Sequence, residues 1–343
     1  MNTINKILLS LFVISTVAST ALAQKVGSTS MQFLKVMPTA RATALGDAYS
    51  VWASGADAVF WNPSGVALAQ HQEFSTTFIQ WIFDTRQYAF GYALPLGNIG
   101  ALGAQFQYVD YGSFEEASAS RLKQEIDPGL TGRTFSPYVY LVGITYAKSL
   151  TEKFSLGVTF KFAHESLYDQ NSIDVIVDTS GTVRRVNTYG NAYLFDFGIR
   201  YNTGFRTIQV AASIQNFGPD FTYAVEKDHA PLQFRVGVAA DFIGPNSLLY
   251  EVENNRLGLA FDLFQPNDYS QQMHLGMEYE FVQTLALRIG YKFNYDNEGF
   301  TFGVGLKQKM GNLRLAFDYS YGATGEFIIV GNTHRISLGV ELL

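Results

Sequence analysis

Cysteine is absent from the chain, and charged residues are few. The lack of cysteine excludes disulfide bonds, thiolate metal sites, cysteine nucleophiles and a lipid-modified cysteine. Charged residues make up 16% of the 343 residues and aromatic residues 15%, whereas about a quarter of an ordinary soluble domain is charged. This composition excludes disorder and indicates a surface that faces something other than water. The net charge of −6 disfavours nucleic acid as a partner, since its phosphates attract basic surfaces.

Long apolar runs are also missing beyond the amino terminus. Residues 1–23 have the features of a cleavable secretory signal peptide, with Lys6 before an apolar stretch and Ala21-Leu22-Ala23 as the cleavage site. We expect the mature chain to begin at Gln24. A membrane anchor is the alternative, but the apolar stretch is shorter than the ~18–20 residues that span a bilayer. No apolar run of that length follows Val17, so the sequence predicts an exported protein without a membrane-spanning helix.

Apolar and polar residues alternate through most of the chain after Phe74. Between Leu285 and Asn294, for example, every second residue is Leu, Ile, Tyr or Phe. Such alternation is typical of a strand with one apolar and one polar face. The pattern predicts fourteen strands, at 73–81, 86–94, 99–109, 138–149, 154–168, 192–203, 208–217, 232–242, 255–265, 272–281, 285–294, 300–308, 313–322 and 333–343.

Two folds would produce this alternation, a soluble β-sandwich and a membrane barrel whose apolar face meets lipid. Most of the predicted strands contain 9–12 residues, close to the ~9–11 of a membrane strand and above the ~5–6 of a sandwich strand. Their polar faces also hold many glycines, which a sandwich does not need opposite its core. The sequence therefore predicts an all-β protein, with a 14-stranded antiparallel transmembrane β-barrel over residues 73–343 and outer-membrane lipid around it.

The connections between these strands alternate in length. Counted from the first, most even-numbered connections are tight, whereas odd-numbered ones at 110–137, 169–191, 218–231 and 323–332 are long. Outer-membrane barrels have short periplasmic turns and longer outer loops, so we expect the odd connections outside and both termini on the periplasmic side. The exception is 243–254, which is either a long periplasmic turn or a sign that one strand is misplaced.

Residues 24–72 lack the alternation and precede the predicted barrel. A short helix is predicted between Pro38 and Gly46, and Asn62-Pro63-Ser64-Gly65 predicts a turn. Fourteen strands enclose a lumen wider than side chains alone can fill, because about eight already reach that limit. We expect this segment to plug the lumen from the periplasmic side, with Asp47 and Asp57 as candidate partners of Arg41. A periplasmic extension is the alternative.

Several sequence blocks resemble those of one family. The clearest is Trp61-Asn62-Pro63-Ser64-Gly65, and others lie around Arg41, Asp47 and Asp57 and, later, around Asn216 and Arg288. Together they resemble the PorV/PorQ family of Bacteroidota-type outer-membrane proteins, which share the barrel of the FadL long-chain fatty acid transporters. The resemblance implies family-motif residues in the plug and in the barrel: Arg41, Gly46, Asp47, Asp57, Trp61, Asn62, Pro63 and Gly65, then Asn216, Gly218, Arg235, Arg288, His334 and Arg335.

The charges expected on the lumen wall are mixed. Nine basic and eight acidic side chains fall on the polar faces, which suits cross-strand pairing, whereas a single-sign ring would predict ion selectivity. Gly290 is expected to point into this wet lumen. The charges are Lys161, Arg200, Arg235, Arg256, Arg288, Lys292, Lys307, Arg314 and Arg335, with Glu165, Asp196, Asp241, Asp262, Glu278, Glu280, Asp318 and Glu341.

No sequence pattern predicts catalysis. G-x-S-x-G, H-E-x-x-H and P-loop motifs are absent, and the five histidines lack the spacing of metal ligands. We therefore expect a non-enzymatic protein without a metal or another cofactor. The resemblance implies a component of type IX protein secretion that binds secreted cargo or surface-attachment partners at the cell surface. The alternative is a FadL-like diffusion channel that holds a hydrophobic small molecule, or detergent, in its lumen.

Overall fold

The structure, a computed structural model, describes residues 27–117, 129–168, 172–176, 182–223, 226–324 and 332–343. The predicted signal peptide and its cleavage site lie outside these residues. Fourteen strands form one closed antiparallel barrel in which each strand pairs with the next around the barrel, and the last pairs with the first to close it. The barrel strands are β1 Gln72–Gln80, β2 Arg86–Pro95, β3 Ala101–Asp110, β6 Tyr138–Ser149, β7 Phe154–Ser166, β10 Tyr189–Asn202, β11 Gln209–Phe217, β14 Gln233–Ile243, β15 Asn255–Pro266, β16 Gln272–Phe281, β17 Leu285–Phe293, β18 Glu298–Met310, β19 Leu313–Thr324 and β20 Thr333–Leu342.

The barrel confirms the predicted fold class. All fourteen predicted strands are present, and their ends differ from the predicted ones by at most three residues. Outward-facing side chains such as Ile144, 62% exposed, and Leu287, 53% exposed, alternate with inward-facing buried ones. This is the pattern that lipid outside and a packed lumen inside would select. In the described part of the chain, no helix is long and apolar enough to cross a membrane.

Three further hairpins stand on one end of the barrel. They were not predicted as strands, and they extend three of the connections that the sequence predicts to be long. We call this end, with the connections at 111–137, 167–188 and 218–232, the hairpin end, and the opposite end the turn end. The hairpins are β4 Phe114–Ala117 with β5 Leu130–Phe135, β8 Ser172–Ile176 with β9 Val183–Asn187, and β12 Phe221–Tyr223 with β13 Glu226–Asp228.

The long connection at the turn end is a folded loop and not the result of a misplaced strand. Residues 244–254 join β14 to β15, whose pairing is continuous apart from one bulge between Asp241 and Ile243. The loop folds back on β14, since Leu248 N donates to Asp241 O at 2.9 Å and Leu249 N donates to Phe242 O at 3.1 Å. The carboxyl terminus lies at the same end, where Leu343 N donates to Asn312 O at 2.8 Å.

Residues 27–71 run through the interior of the barrel as short helical turns. Small residues let these turns pack closely, and the core between segment and wall contains fully buried Leu45, Val59 and Trp61. We call residues 27–71 the internal segment. Its turns are Gln32–Lys35, Ala40–Ala44, Gly55–Asp57, Ala58–Trp61 and Pro63–Leu68; two more helical turns, Ile82–Asp84 and Gly97–Ile99, join barrel strands.

Candidate functional site: the internal segment and the lumen wall

The internal segment traverses the lumen from the hairpin end to the turn end. Its first described residues contact hairpin-end connections, since Thr29 Oγ1 donates to Asp268 Oδ2 at 2.6 Å and Ser30 N donates to His229 O at 3.1 Å. Its last residues lead into β1 at the turn end, where Leu68 lies near the turn at 150–153. The sequence places both termini on the periplasmic side and predicts that the segment plugs the lumen from there, but the described chain begins at the end of the barrel opposite the carboxyl terminus. The first and last residues of the segment therefore contact opposite ends of the barrel.

A latch of polar contacts holds the segment at the hairpin end. Lys35 Nζ, Thr29 Oγ1 and Gln32 Nε2 donate to the same oxygen of Asp268, at 2.8, 2.6 and 3.2 Å. Burial would raise the pKa of Asp268, but the hydrogen bonds and charge of Lys35, with Thr29 and Gln32, outweigh it and leave the pKa lowered. The ionised carboxylate is thereby stabilised against the chain that it holds.

Beneath this latch, the segment fills an apolar cavity with its own side chains. Met31, Phe33 and Leu34 are at most 7% exposed, and Met31 has a positive φ of 55° that turns the chain into the lumen. The remaining void beside Leu34 measures only about 10 Å³. In the described residues, these side chains therefore fill this part of the lumen. The wall of this cluster consists of Val109, Val139, Leu141, Ala163, Ala192, Leu194, Phe221 and Ala230.

Further along, Arg41 enters a network of three arginines around one carboxylate. Arg41 binds Glu278 through two bonds, from Nε at 3.0 Å and from Nη2 at 2.8 Å. Arg288 Nε and Arg256 Nη1 donate to the same carboxylate at 2.6 and 2.7 Å. Glu278 is fully buried. Such charge-assisted, bidentate contacts fix geometry as well as supply energy, so they seat the helix Ala40–Ala44 against the wall.

The expected pairing of Asp47 or Asp57 with Arg41 is not found. Asp47 instead binds Lys292 at 2.6 Å, because the left-handed residues Gly46 and Asp47, with φ of 64° and 66°, turn its side chain toward β17. Asp57 lines a cavity at the turn end. Arg41 and Asp47 therefore find their ion-pair partners on the barrel wall and not within the segment.

Gly46 and Gly290 account for the close approach of the segment to the wall. A Cβ on Gly290 would lie 2.0 Å from Gly46 N, so backbone packs directly on backbone. Gly290 does point into the lumen, but the expectation that it is wet is wrong, because the internal segment covers it. Gly276 makes a similar approach, with its Cβ position 2.5 Å from Leu45 O.

Trp61 is the largest side chain buried in the segment, and Arg235 lies over it. Trp61 Nε1 donates to Pro38 O at 2.9 Å, so the indole has its polar partner. The Arg235 guanidinium lies 5.2 Å from the Trp61 ring and 4.4 Å from the Phe264 ring, and its Nη1 donates to Asp47 O at 2.8 Å. Arg235 thus joins two parts of the segment to the wall through cation–π and hydrogen-bond contacts.

The Asn62-Pro63-Ser64-Gly65 block begins the last helical turn. Asn62 caps it, since its Oδ1 accepts from Ser64 N at 3.1 Å, and Pro63 takes the first helical position. Gly65 leaves no room for a side chain, because its Cβ would lie 2.1 Å from Ala53 O. The predicted turn is thus a capped 3₁₀ helix, Pro63–Leu68.

The remaining motif residues are dispersed. Asn216, with φ of 63°, lies near the end of β11 at a bulge, where its N donates to Asp196 Oδ1 at 2.8 Å. Gly218 follows β11, and a Cβ on it would lie 2.3 Å from Tyr193 O. Arg335 is buried in the wall, whereas His334 lies on the outward face, 2.8 Å from Tyr319 Oη.

The structure brings together Arg41 with Arg288, and Asp47 with Arg235 and Trp61. Motif reasoning missed Glu278, Lys292 and Asp268, although the first two lie on faces that alternation assigns to the lumen.

The turn end differs, since it contains an open cavity of about 810 Å³ that we call the vestibule. Its walls are charged: Lys307 binds Glu280 at 2.8 Å and Arg314 binds Glu341 across neighbouring strands. Arg41 and Asp57 of the internal segment line it as well. In the described residues, no group of three or more His, Asp or Glu side chains could hold a metal ion.

The fold and this arrangement define a class of protein, an outer-membrane barrel that holds its own amino-terminal chain in its lumen. A family model described as "Type IX secretion system protein PorV" matches residues 19–263. The chain therefore belongs to the PorV family, as the sequence blocks predicted. Among curated proteins, none matches this sequence.

Solved structures show the same fold at low sequence identity. The chain is similar to a mutant of the TodX monoaromatic hydrocarbon channel, with 14% identity, 89% of this chain and 98% of that chain covered, and a TM-score of 0.54. It is also similar to the toluene transporter TodX of Pseudomonas putida, with 13% identity, 82% and 92% covered, and a TM-score of 0.51. For the CymD monoaromatic hydrocarbon channel the identity is 10%, the coverage 90% and 98%, and the TM-score 0.54. These likenesses bear out the predicted outer-membrane barrel fold.

Proposed function

We propose that this protein is a non-enzymatic component of type IX protein secretion that binds secreted cargo or surface-attachment partners through its hairpin end. The observation that carries the proposal is the filled lumen. Met31, Phe33 and Leu34 occupy the apolar cavity of the hairpin end, so the barrel interior offers a passing molecule no described route there. We therefore expect partners to bind on the surface that the hairpins form.

The connections at 111–137 and 167–188 support this role because they contact each other and the first exposes apolar side chains. Tyr168 Oη donates to Glu116 Oε1 at 2.9 Å, and the Tyr168 ring lies 5.3 Å from the Phe135 ring. Phe114 is 49% exposed and Leu130 is 45% exposed. A braced surface with exposed aromatic and aliphatic side chains suits protein binding, since such residues anchor interfaces.

A double variant, Phe114→Asp with Leu130→Asp, tests the proposal in cells. We expect it to lower the amount of secreted protein that co-purifies with the barrel and to retain cargo inside the cell. The matched control is Leu249→Asp with Tyr250→Asp, since these side chains are exposed at the turn end and we expect the control to secrete normally.

Two results would contradict the proposal. One is normal secretion by the hairpin variant when its barrel assembles, which heat-modified migration on a detergent gel checks. The other is loss of uptake of a hydrophobic small molecule, without any secretion defect, in cells that lack the protein; that result would favour the FadL-like alternative.

A further inference from the structure

Arg200 differs from most of the basic side chains on the lumen wall. Seven of the nine predicted lumen-facing bases lie within 4.0 Å of a carboxylate. Arg335, one of the other two, is enclosed in the wall beside Thr333. For Arg200, no carboxylate among the described residues lies within that distance. A half-buried cation without a counter-charge is unfavourable, because desolvation is not offset by an ion pair.

The side chain of Arg200 is held in place by a neutral partner. Its Nε donates to Gln209 Oε1 at 3.1 Å, and its Nη2 donates to the same oxygen. Nη1 is buried and has no hydrogen-bond partner among the residues that the structure describes. Because Gln209 carries no charge, it orients the guanidinium without neutralising it.

A cavity of about 110 Å³ opens beside Arg200 at the turn end. About 10–15 Å³ of such space admits one water, so a small oxyanion fits. Ser155 pairs with Arg200 across β7 and β10, and Ser155, Asn202 and Lys153 also line the cavity. Lys153 adds a second positive charge. Glu152 also lines the cavity, but its side chain is exposed and makes no ion pair with Arg200.

From the unpaired Arg200 and the cavity beside it, we infer a binding site for a phosphate-sized oxyanion at the turn end. Arg200 supplies the fixed charge, Lys153 the second charge, and Ser155 with Asn202 the neutral polar groups around the anion. Hydrogen bonds from charged donors to an oxyanion are the strong ones. The phosphate is either free or part of a lipid headgroup, and the site is independent of the function proposed for the hairpins.

Titration of the full-length protein in detergent with inorganic phosphate, at constant ionic strength, tests the site. We expect saturable binding that Arg200→Gln weakens about tenfold, the effect of losing one charge-assisted contact. The control is Arg206→Gln, an arginine at the same end that is exposed and already paired with Glu251, and it should bind phosphate as the unchanged protein does. Heat-modified migration on a gel verifies that each variant is folded.

A second arm distinguishes the two sources of phosphate. In nanodiscs of phosphatidylglycerol, a lipid headgroup in the site would abolish binding of added phosphate, whereas persistent binding would indicate free phosphate. Absence of phosphate binding by the unchanged protein in detergent, or equal binding by folded Arg200→Gln, would overturn the inference.

Discussion

The two ends of the lumen differ in how side chains line and fill them. At the hairpin end, Met31, Phe33 and Leu34 pack against an aliphatic wall and leave a void of about 10 Å³. At the turn end, paired charges such as Lys307 with Glu280 surround an open vestibule of about 810 Å³. Apolar packing excludes water, whereas a charged wall needs it. The difference indicates that the internal segment blocks the lumen in its hairpin half and middle, and that the vestibule at the turn end is filled by water.

Removal of the internal segment should have the largest effect on this contrast. Deletion of 28–64 takes away the apolar filling and joins the vestibule to the opposite end, since fourteen strands enclose more space than side chains can close. We expect the intact protein to be closed in planar bilayers and the deleted form to conduct through a large, weakly selective pore. Porin-like conductance by the intact protein would remove the contrast between the ends. Heat-modified migration on a gel verifies that the deleted form is a barrel.

Glu278→Gln should destabilise the three-arginine network that holds Arg41, a residue that lines the vestibule. The change leaves Arg41, Arg256 and Arg288 facing one another without their shared carboxylate, and removing one member of a buried pair costs about 3–5 kcal/mol. Unfolding in urea, followed on detergent gels, measures the free energy of unfolding. Glu251→Gln is the control, because Glu251 is exposed and paired with Arg206, and such a pair contributes about 0–1 kcal/mol. Equal effects of the two changes would mean that the network does not hold the segment.

Gly290→Ala tests whether the middle of the segment is pressed against the wall. The added methyl group would meet Gly46 N at 2.0 Å, so backbone must move, and such overpacking costs about 1–3 kcal/mol. Gly339→Ala is the matched change in the vestibule, where the nearest atom is an ordinary 3.4 Å away. Urea unfolding should give a lower free energy of unfolding for Gly290→Ala than for Gly339→Ala. If Gly290→Ala were as stable as the unchanged protein, the segment would lie further from β17.

Asp268→Asn should have the smallest effect, confined to the hairpin end. It removes the charge on which Thr29, Gln32 and Lys35 converge, at a cost of about 1–3 kcal/mol to the latch. Hydrogen exchange should rise in residues 29–36 and not around the vestibule. Asp174→Asn, which changes an exposed carboxylate on the hairpin of β8 and β9, should leave this exchange unchanged.

The latch should also depend on pH. The pKa of Asp268 is lowered in the folded protein, so its contribution is present above the unfolded pKa and is lost as the pH falls through the lowered value. The protection of residues 29–36, measured against the intrinsic exchange rate at each pH, should therefore fall at acidic pH in the unchanged protein. In Asp268→Asn this acid-dependent step should be missing, and its persistence would assign the step to another group.

The sequence by itself determined the barrel. Alternation over nine to fourteen residues fixes which side chains face lipid, because a slip of one residue would expose every lumen charge; hence the strands of Gln72–Leu342 match their predicted ranges closely. Small residues, Pro38, Gly46 and Asn62 likewise determined the local turns of the internal segment. These signals are local, so they can be read without knowing what lies across the lumen.

Only the tertiary structure decided which way the internal segment runs and which groups it meets. The sequence placed Glu278 and Lys292 on the lumen face but could not assign them to Arg41 and Asp47, since partners 237 residues apart, as Arg41 and Glu278 are, meet only when the barrel closes. Nor could it predict that Asp268 anchors the first described residues at the hairpin end. Strand faces follow from a period of two along the chain, whereas contacts between the segment and its wall depend on closure, stagger and direction, which no local pattern encodes.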